Sequence, residues 1–247
     1  MLPAPCYVIS DAHLGAAREQ VSRDVVAFLK SLPERAGSLL INGDLFDFWF
    51  EYRHVIMAEH YRALAKLKDV VEAGVPIAFV GGNHDGWAGP FLRDEIGIAL
   101  HEGPVELNLG GRRALVAHGD GVGSGDLKYR ALKWTIRNRL FTGAFRVIHP
   151  DVGTRIAMLA SSTEDKAEGG DKRGKNRAAF IRRWAEGELR ARPEIDLVLA
   201  GHAHVASITE VERGRYYVNS GDWLRTFDYV VLPPGGGPPE LRAWPAA

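Results

Sequence analysis

The chain has 247 residues, 46% of them hydrophobic, and its 31 basic and 31 acidic side chains cancel. This composition is typical of a folded globular protein, and the zero net charge by itself points to no class of partner. A single cysteine, Cys6, excludes an internal disulfide and fits a reducing compartment. No signal-peptide pattern opens the chain, and no apolar run reaches the roughly 18 residues of a membrane span. We therefore expect a cytoplasmic protein, with peripheral membrane contact left open.

The first third of the chain alternates short apolar runs with helical patterns. Apolar runs within 5–10, 38–44 and 76–85 predict strands. Apolar residues spaced three and four apart predict helices over 21–32 and 54–73. This β-α-β-α-β order is typical of a layered α/β fold.

The later strands follow one another without helices. The sequence predicts a hairpin across Gly110 and Gly111, a strand at 197–200, a second hairpin around Arg213 and Gly214, and a last strand at 229–232. Early βα units with late hairpins predict two packed sheets of mixed direction, flanked by helices.

The strand pattern stops between about residues 122 and 192, and a helical pattern takes its place. One face of this pattern is mostly apolar, with residues Leu127, Ala131, Trp134, Asn138, Phe141 and Phe145. Because strands resume afterwards, we interpret 122–192 as a helical cap inserted into a single domain that spans 1–247.

Five predicted strands end in residues that can bind metals. The motifs are D-A-H after the first strand, G-D after the second, G-G-N-H-D after the third, then A-H-G-D and G-H-A-H. Taken singly, each motif has an ordinary explanation, such as a helix cap, a turn or a core histidine. Together, at the strand ends where α/β proteins form their sites, they predict a metal centre. The candidate ligands are Asp11, His13, Asp44, Asn83, His118, His202 and His204.

Seven ligands are too many for one ion and suit two. Mixed carboxylate, imidazole and amide groups fit manganese, iron or zinc, of which we expect manganese. Two ions roughly 4 Å apart clamp the attacking and leaving oxygens of a phosphoryl displacement. A carboxylate shared between the ions would set that separation. The sequence therefore predicts a dinuclear phosphoesterase.

The ordered motifs D-x-H, G-D, G-N-H-D, H-G-D and G-H-x-H resemble those of the calcineurin-like metallophosphoesterase superfamily. The resemblance implies an αββα sandwich. It assigns one ion to Asp11, His13, Asp44 and His204, and the other to Asp44, Asn83, His118 and His202. It also implies that His84 protonates or steadies the leaving group, and that Asp85 orients His84.

A narrower resemblance rests on "GDLFDFWFEYR", "HGDGVGSGDLKYR" and the closing "NSGDW". These segments are similar to those of UDP-2,3-diacylglucosamine hydrolases, which cut the pyrophosphate of a nucleotide-lipid into UMP and 2,3-diacylglucosamine 1-phosphate in lipid A synthesis. The resemblance implies that Asp126 and Tyr129 contact the sugar-phosphate. In the best-known branch an arginine follows the motif asparagine, whereas this chain has His84, so the chain resembles a divergent branch.

Basic residues are concentrated in the predicted cap. The cluster "GGDKRGKNR" at 169–177 contains Lys172, Arg173 and Lys175, which we assign to binding the diphosphate. A basic segment beside apolar helices also fits an anionic membrane surface. The alternatives are an ordinary solvated helix face or nucleic-acid binding. The similarity at 118–130 favours the nucleotide-lipid, so we expect no nucleic acid.

Two other functions compete with the lipid pyrophosphatase. One is a general phosphodiesterase or phosphomonoesterase acting on a soluble substrate. The other is a non-catalytic scaffold, which the complete set of seven ligands disfavours. Cys6 is expected to fill the core, and Asp47, Trp49 and Trp223 are candidates for lining the site or for structural roles.

Overall fold

The computed structural model describes residues 1–123, 138–167 and 171–245. Five α-helices lie in these residues: α1 (Glu19–Ser31), α2 (Tyr61–Glu72), α3 (Arg139–Phe145), α4 (Pro150–Ala167) and α5 (Asp171–Ala191). The strands are β1 (Cys6–Ile9), β2 (Ser38–Asn42), β3 (Ile77–Val80), β4 (Ala99–His101), β5 (Val105–Leu109), β6 (Arg112–Val116), β7 (Leu197–Ala200), β8 (Ser207–Glu212), β9 (Arg215–Asn219), β10 (Asp228–Leu232) and β11 (Glu240–Ala243).

The strands form two sheets of mixed direction. The first sheet has six strands in the order β11-β10-β1-β2-β3-β4, and the second has five in the order β5-β6-β7-β9-β8. The run from β1 to β4 is parallel, as the βα units require, while β10 and β11 are antiparallel. In the second sheet the two predicted hairpins flank β7, which pairs in parallel with β6 and β9.

Alternation along the strands builds the layers. In β1 and β2, Val8 and Leu40 join the apolar cluster that also contains Val116 and Leu199 of the second sheet. Their neighbours Ile9 and Ile41 join the cluster formed with α1 and α2 instead. Successive side chains point to opposite faces of a strand, so one strand can contribute to both clusters. Strands that are buried on both faces explain the continuous apolar runs in the sequence.

The outer face of the second sheet is covered by α5. Its residues Ile181, Ala185 and Leu189 are buried against residues of β6, β7 and β9. With α1 and α2 on the other side, this packing completes the predicted αββα sandwich. The predicted cap is therefore divided: the second half of α5 is a layer of the sandwich, and α3 and α4 precede it.

Some elements differ from those predicted. The helix expected over 54–73 begins only at Tyr61, after a short turn at Ala58–His60. Strands β4 and β11 were not predicted, because β4 has three residues and β11 is an exposed edge strand without apolar alternation. Cys6 is fully buried, as expected of a core residue, and burial raises its pKa to about 12.

Candidate metal centre

The predicted ligands converge at one end of the two sheets. Asp11 and His13 follow β1, Asp44 follows β2, and Asn83 follows β3. His118 follows β6, and the pair His202 and His204 follows β7. Because β1, β2 and β3 are parallel neighbours, and β6 and β7 are parallel in the other sheet, these ends face the same edge of the sandwich.

Left-handed backbone conformations mark this edge. Among the described residues, six non-glycine residues have φ between 45° and 63°, and five of them are predicted ligands. Such a conformation costs roughly 1–3 kcal/mol per residue, so the surrounding structure must hold it in place. Backbone strain of this kind concentrates at functional sites. The five ligands are Asp11, His13, Asp44, His202 and His204.

The side chains form three overlapping clusters, which His13 and Asp44 link to one another. Candidate ligand atoms lie within 4.8 Å of one another in each of three groups: Asp11, His13 and His204; His13, Asp44 and His84; and Asp44, His118 and His202. The Nε2 of His204 lies 3.3 Å from Asp11 Oδ1, and the Nε2 of His118 lies 3.0 Å from Asp44 Oδ2. Two neighbouring ions that share Asp44 match this arrangement.

In the described residues, nine buried side-chain polar atoms lack a hydrogen-bond partner, and two of them belong to predicted ligands, which tests whether metal ions fit here. Among the described residues, His13 Nε2 and Asn83 Oδ1 belong to this small class. An unpaired buried polar atom costs roughly 1–3 kcal/mol, and an ion is one of the standard ways to compensate for it. Both atoms are of the predicted ligand type, so the residues fit a divalent cation.

Backbone contacts fix the ligand rings and loops. The Nδ1 of His118 lies 2.8 Å from the carbonyl oxygen of Asn42. Since a carbonyl only accepts, Nδ1 carries the proton, and the lone pair of neutral His118 is on Nε2, toward Asp44. Asp11 in turn accepts a hydrogen bond from the backbone amide of His202, at 3.0 Å to Oδ2. A Cβ on Gly82 would collide with the carboxylate of Asp44, which explains the glycine.

The charges at the centre suit metal binding. Burial raises the pKa of Asp11, but His118 and His204 lower it more, to about 2. Burial also opposes ionisation of Asp44, yet the neighbouring histidines hold its pKa well below the usual value. Burial and the neighbouring His118 lower the pKa of His202 to about 4, so its imidazole is neutral at pH 7. Burial opposes the charged form of His118 and His204 as well, but Asp44 and Asp11 raise the pKa of His118 well above its usual value, and Asp11 raises that of His204. The carboxylates and His202 are thus in the state that a metal requires, and a bound ion would displace a proton from His118 and from His204.

His84 lies at the centre, but its partner is not the one expected. Its Nδ1 is 2.8 Å from the backbone oxygen of Asp47 and 3.4 Å from the Asp47 carboxylate. Asp85, the expected orienting residue, instead accepts hydrogen bonds from the backbone amides of Gly82, Asp44 and Leu45. Asp85 therefore holds the backbone of the two loops in place through their amide groups, and Asp47 is the carboxylate that lies beside the imidazole of His84.

Asp47 is thus a site residue to which the sequence motifs gave no definite role. Its carboxylate also lies 3.1 Å from Nδ1 of His13, so it contacts two rings of the centre. Its position three residues after Asp44, in "GDLFD", was the available signal. Trp49 and Trp223 are buried in the first-sheet cluster, which gives both a packing role.

Glu51 is a second residue that the sequence did not single out. This buried carboxylate accepts backbone hydrogen bonds from Gly89, Phe91 and Leu92, at 2.8–3.3 Å. It anchors the start of the short π-helix at Phe91–Ile96, which follows the His84 loop. An acid within the apolar run "FWFE" was the signal for it.

The predicted substrate contacts lie on the cap, at or beyond the edge of the described residues. Asp126 and Tyr129 lie outside the described residues. Lys172 and Arg173 lie in the first turn of α5, and their side chains are likewise outside the described part. Lys175 is exposed on the same helix, and Arg177, two residues later, lies 3.5 Å from the backbone oxygen of His202. The start of α5 is therefore close to the metal centre.

Known proteins share this sequence pattern. A family model described as calcineurin-like phosphoesterase matches residues 4–206. A protein of Porphyromonas gingivalis named UDP-2,3-diacylglucosamine hydrolase is 29% identical over 91% of this chain and 92% of its own length. One of the same name from Actinobacillus succinogenes is 27% identical, over 92% and 95% of the two chains. The solved structure of TT1561 of Thermus thermophilus has a TM-score of 0.49 and 13% identity, over 96% and 97% of the chains.

The family match covers every predicted metal ligand and both sheets up to the end of β7. The chain belongs to the calcineurin-like phosphoesterase family.

Proposed function

We propose that this calcineurin-like phosphoesterase hydrolyses the pyrophosphate bond of UDP-2,3-diacylglucosamine to UMP and 2,3-diacylglucosamine 1-phosphate, using two divalent metal ions. The reaction class rests on one observation, the three overlapping ligand clusters linked through His13 and Asp44. The substrate rests on relatives named UDP-2,3-diacylglucosamine hydrolase, which align along about nine tenths of both chains.

Four residues hold each ion in this proposal. The first ion is held by Asp11, His13, Asp44 and His204, and the second by Asp44, Asn83, His118 and His202. The unpartnered atoms His13 Nε2 and Asn83 Oδ1 support one assignment each. We assign manganese, because nitrogen and oxygen donors without thiolate suit it; iron and zinc accept the same donors and are alternatives that metal analysis separates.

When bound, the two ions would polarise the phosphoryl oxygens and supply the nucleophile. His84 acts on the leaving group. Its Nδ1 must carry a proton, because it faces the carbonyl oxygen of Asp47 at 2.8 Å. Nε2 is then the ring atom that can release a proton to the departing oxygen, and the Asp47 carboxylate 3.4 Å from Nδ1 stabilises the charged ring. Asp47 is a positioning residue in this scheme.

We assign the lipid half of the substrate to the side of α3 and α4, within the inserted cap of 122–192. Phe145 of α3 packs with Phe48, Phe50 and Met57, and Trp87 borders this cluster. Leu140 and Val147 remain 83% and 86% exposed on the same segment. Apolar surface of this kind suits acyl chains or a membrane surface. We propose that the diphosphate is bound by Lys172, Arg173 and Lys175, and that the sugar-phosphate is contacted by Asp126 and Tyr129.

We also infer peripheral contact with the inner membrane, where a diacylated substrate would reside. Within the described part of the chain, no helix has both the length and the apolar character needed to cross a membrane. The exposed apolar residues of α3 and α4, together with basic residues nearby, support contact with the surface instead.

One incubation tests the function. Purified protein with Mn²⁺ and UDP-2,3-diacylglucosamine is analysed by mass spectrometry for UMP and the lipid phosphate, beside a tube with a soluble aryl phosphodiester. Rapid UMP release with little diester cleavage is expected. Diester cleavage with untouched lipid would keep the metal chemistry and overturn the lipid substrate. The Asp44→Ala variant is the negative control in both tubes.

A further inference from the structure

A cavity of about 750 Å³ opens beside the metal centre, next to His118. Its walls come from the loop after β6, the segment before β5, and α5. Among the described residues, the wall includes His118 but not His13, Asp47 or His84. The cavity therefore adjoins the ion assigned to His118 and His202, and lies apart from the leaving-group histidine.

The chemistry of the wall does not suit acyl chains. Its described residues are five glycines, four polar residues, among them the carboxylates of Glu102 and Asp120, and only four apolar residues, which are Pro104, Ala117, Val122 and Trp184. Asp120 is buried and Glu102 is exposed at the rim. Acyl chains are placed better against the aromatic cluster of Phe48, Phe50 and Phe145. A polar ligand with one flat ring matches the cavity more closely.

Trp184 supplies a fixed flat surface. It is half-buried at the cavity and packs against the cluster in which α5 covers the second sheet. Its neighbours Ile181 and Ala185 are almost fully buried, so the helix that carries it is held in place. The opposing loop lies close: a Cβ on Gly123, where φ is +76°, would be 3.2 Å from Phe180 and 4.0 Å from Trp184.

We propose that this cavity is the nucleoside subsite of the substrate, and this inference rests on the proposed function. The base stacks on Trp184, the ribose hydroxyls donate to Glu102 and Asp120, and the 5′-phosphate lies at His118. A large flat ring, two acceptors and an adjoining cation site are the features that a nucleoside 5′-phosphate requires. The substrate would then cross the centre, with its nucleotide at His118 and its lipid beside α3.

The test measures UMP binding by calorimetry to the full-length protein loaded with Mn²⁺. Loss of a base-stacking side chain weakens binding by roughly 5- to 150-fold. Trp184→Ala should therefore lower the affinity for UMP within this range and leave the affinity for inorganic phosphate unchanged. Trp244→Ala is the matched control, because it removes a half-buried tryptophan that packs on Phe28 in the first-sheet cluster and should leave UMP binding unchanged.

A milder variant guards against misfolding. Glu102→Gln changes an exposed rim residue and should lower UMP affinity by several-fold, with a smaller effect on 2′-deoxy-UMP, which has one hydroxyl fewer. The proposal is overturned if UMP binds wild-type protein no better than phosphate, or if the Trp184 and Glu102 variants both bind UMP as wild type does.

Cleavage of the lipid substrate, measured on the same preparation, separates the two proposals. Lipid cleavage with UMP affinity independent of Trp184 would reject the subsite and keep the function. Trp184-dependent UMP binding without lipid cleavage would keep a nucleotide site and reject the lipid substrate.

Discussion

The strand ends and the helices α3 and α4 differ in the kind of side chain that each region buries and exposes. At the strand ends, Asp11 and Asp44 are at most 1% exposed, and the backbone is held in left-handed conformations. On α3 and the following turn, Leu140 and Val147 are more than 80% exposed although both are apolar. One region buries charge and the other exposes hydrophobic surface, and each arrangement costs stability unless something binds there.

In the proposed function, the two regions bind different parts of the reacting complex. Divalent ions would compensate the buried charges at the strand ends, and the acyl chains of the substrate would cover the apolar helix surface. The two-sheet core supports the first region through short, doubly buried strands, so its geometry is fixed by packing. Variants in the two regions should therefore have different consequences: loss of chemistry in the first, and altered substrate preference in the second.

The largest effect is expected for Asp44→Ala. This change removes the carboxylate that we assign to both ions, so both ions should be lost. Mutation of a residue that only orients a metal ligand lowers activity by up to roughly 100-fold, so loss of the shared ligand should lower turnover by more than that. Elemental analysis of the purified variant, together with an activity assay, checks it. Asp69→Ala, an exposed acid on α2, is the control. A variant that keeps two ions would contradict the bridging role.

His84→Ala should reduce turnover by roughly 10²- to 10⁴-fold, the range for a general acid, while both ions remain bound. The comparison variant is His149→Ala, which alters an exposed histidine of the cap and should keep full activity. Loss of metal in His84→Ala would show that this ring binds an ion instead, as its presence in one ligand cluster allows.

His60 makes the core sensitive to acid. Burial lowers its pKa to about 4, against about 6.5 in an unfolded chain. Below pH 6.5 His60 is protonated in the unfolded chain but stays neutral in the native protein until the pH approaches 4. The free energy of unfolding therefore falls as the pH drops toward 4, by up to roughly 3 kcal/mol.

Denaturant unfolding with metal chelated, at pH 7 and pH 4.5, measures this effect. Wild type should lose more stability between these two pH values than His60→Gln does. Equal losses in both proteins would show that His60 does not cause the pH dependence.

The smallest effect is expected in the cap. Leu140→Ser should raise the KM for the diacylated substrate by roughly tenfold, since part of a leucine burial is lost, and should not change cleavage of a soluble diester. Leu241→Ser, on the exposed edge strand β11, is a matched control with no expected effect. If Leu140→Ser and wild type cleave the lipid with equal kinetics, α3 does not take part in substrate binding. That result would not affect the proposed chemistry at the strand ends.

Nine of the eleven strands, both hairpins and the candidate ligands were predictable from the amino-acid sequence. A strand with a continuous apolar run, such as residues 38–42, is stable only when both of its faces are buried. The Asp, Asn and His residues come directly after these strands in the sequence, so their position at the strand ends is visible without a structure. The parallel packing of such strands then brings their ends together without further information.

Which side chains face each other depends on the packing of distant segments, and the sequence did not reveal it. The partnership of Asp47 with His84, in place of Asp85, depends on how two loops meet across roughly forty residues of sequence. The division of the predicted cap could not be predicted from the periodicity either, since a helix that packs on a sheet and a helix whose apolar face stays exposed show the same apolar spacing. Strands β4 and β11 escaped prediction because their pairing partners, rather than their own residues, make them strands.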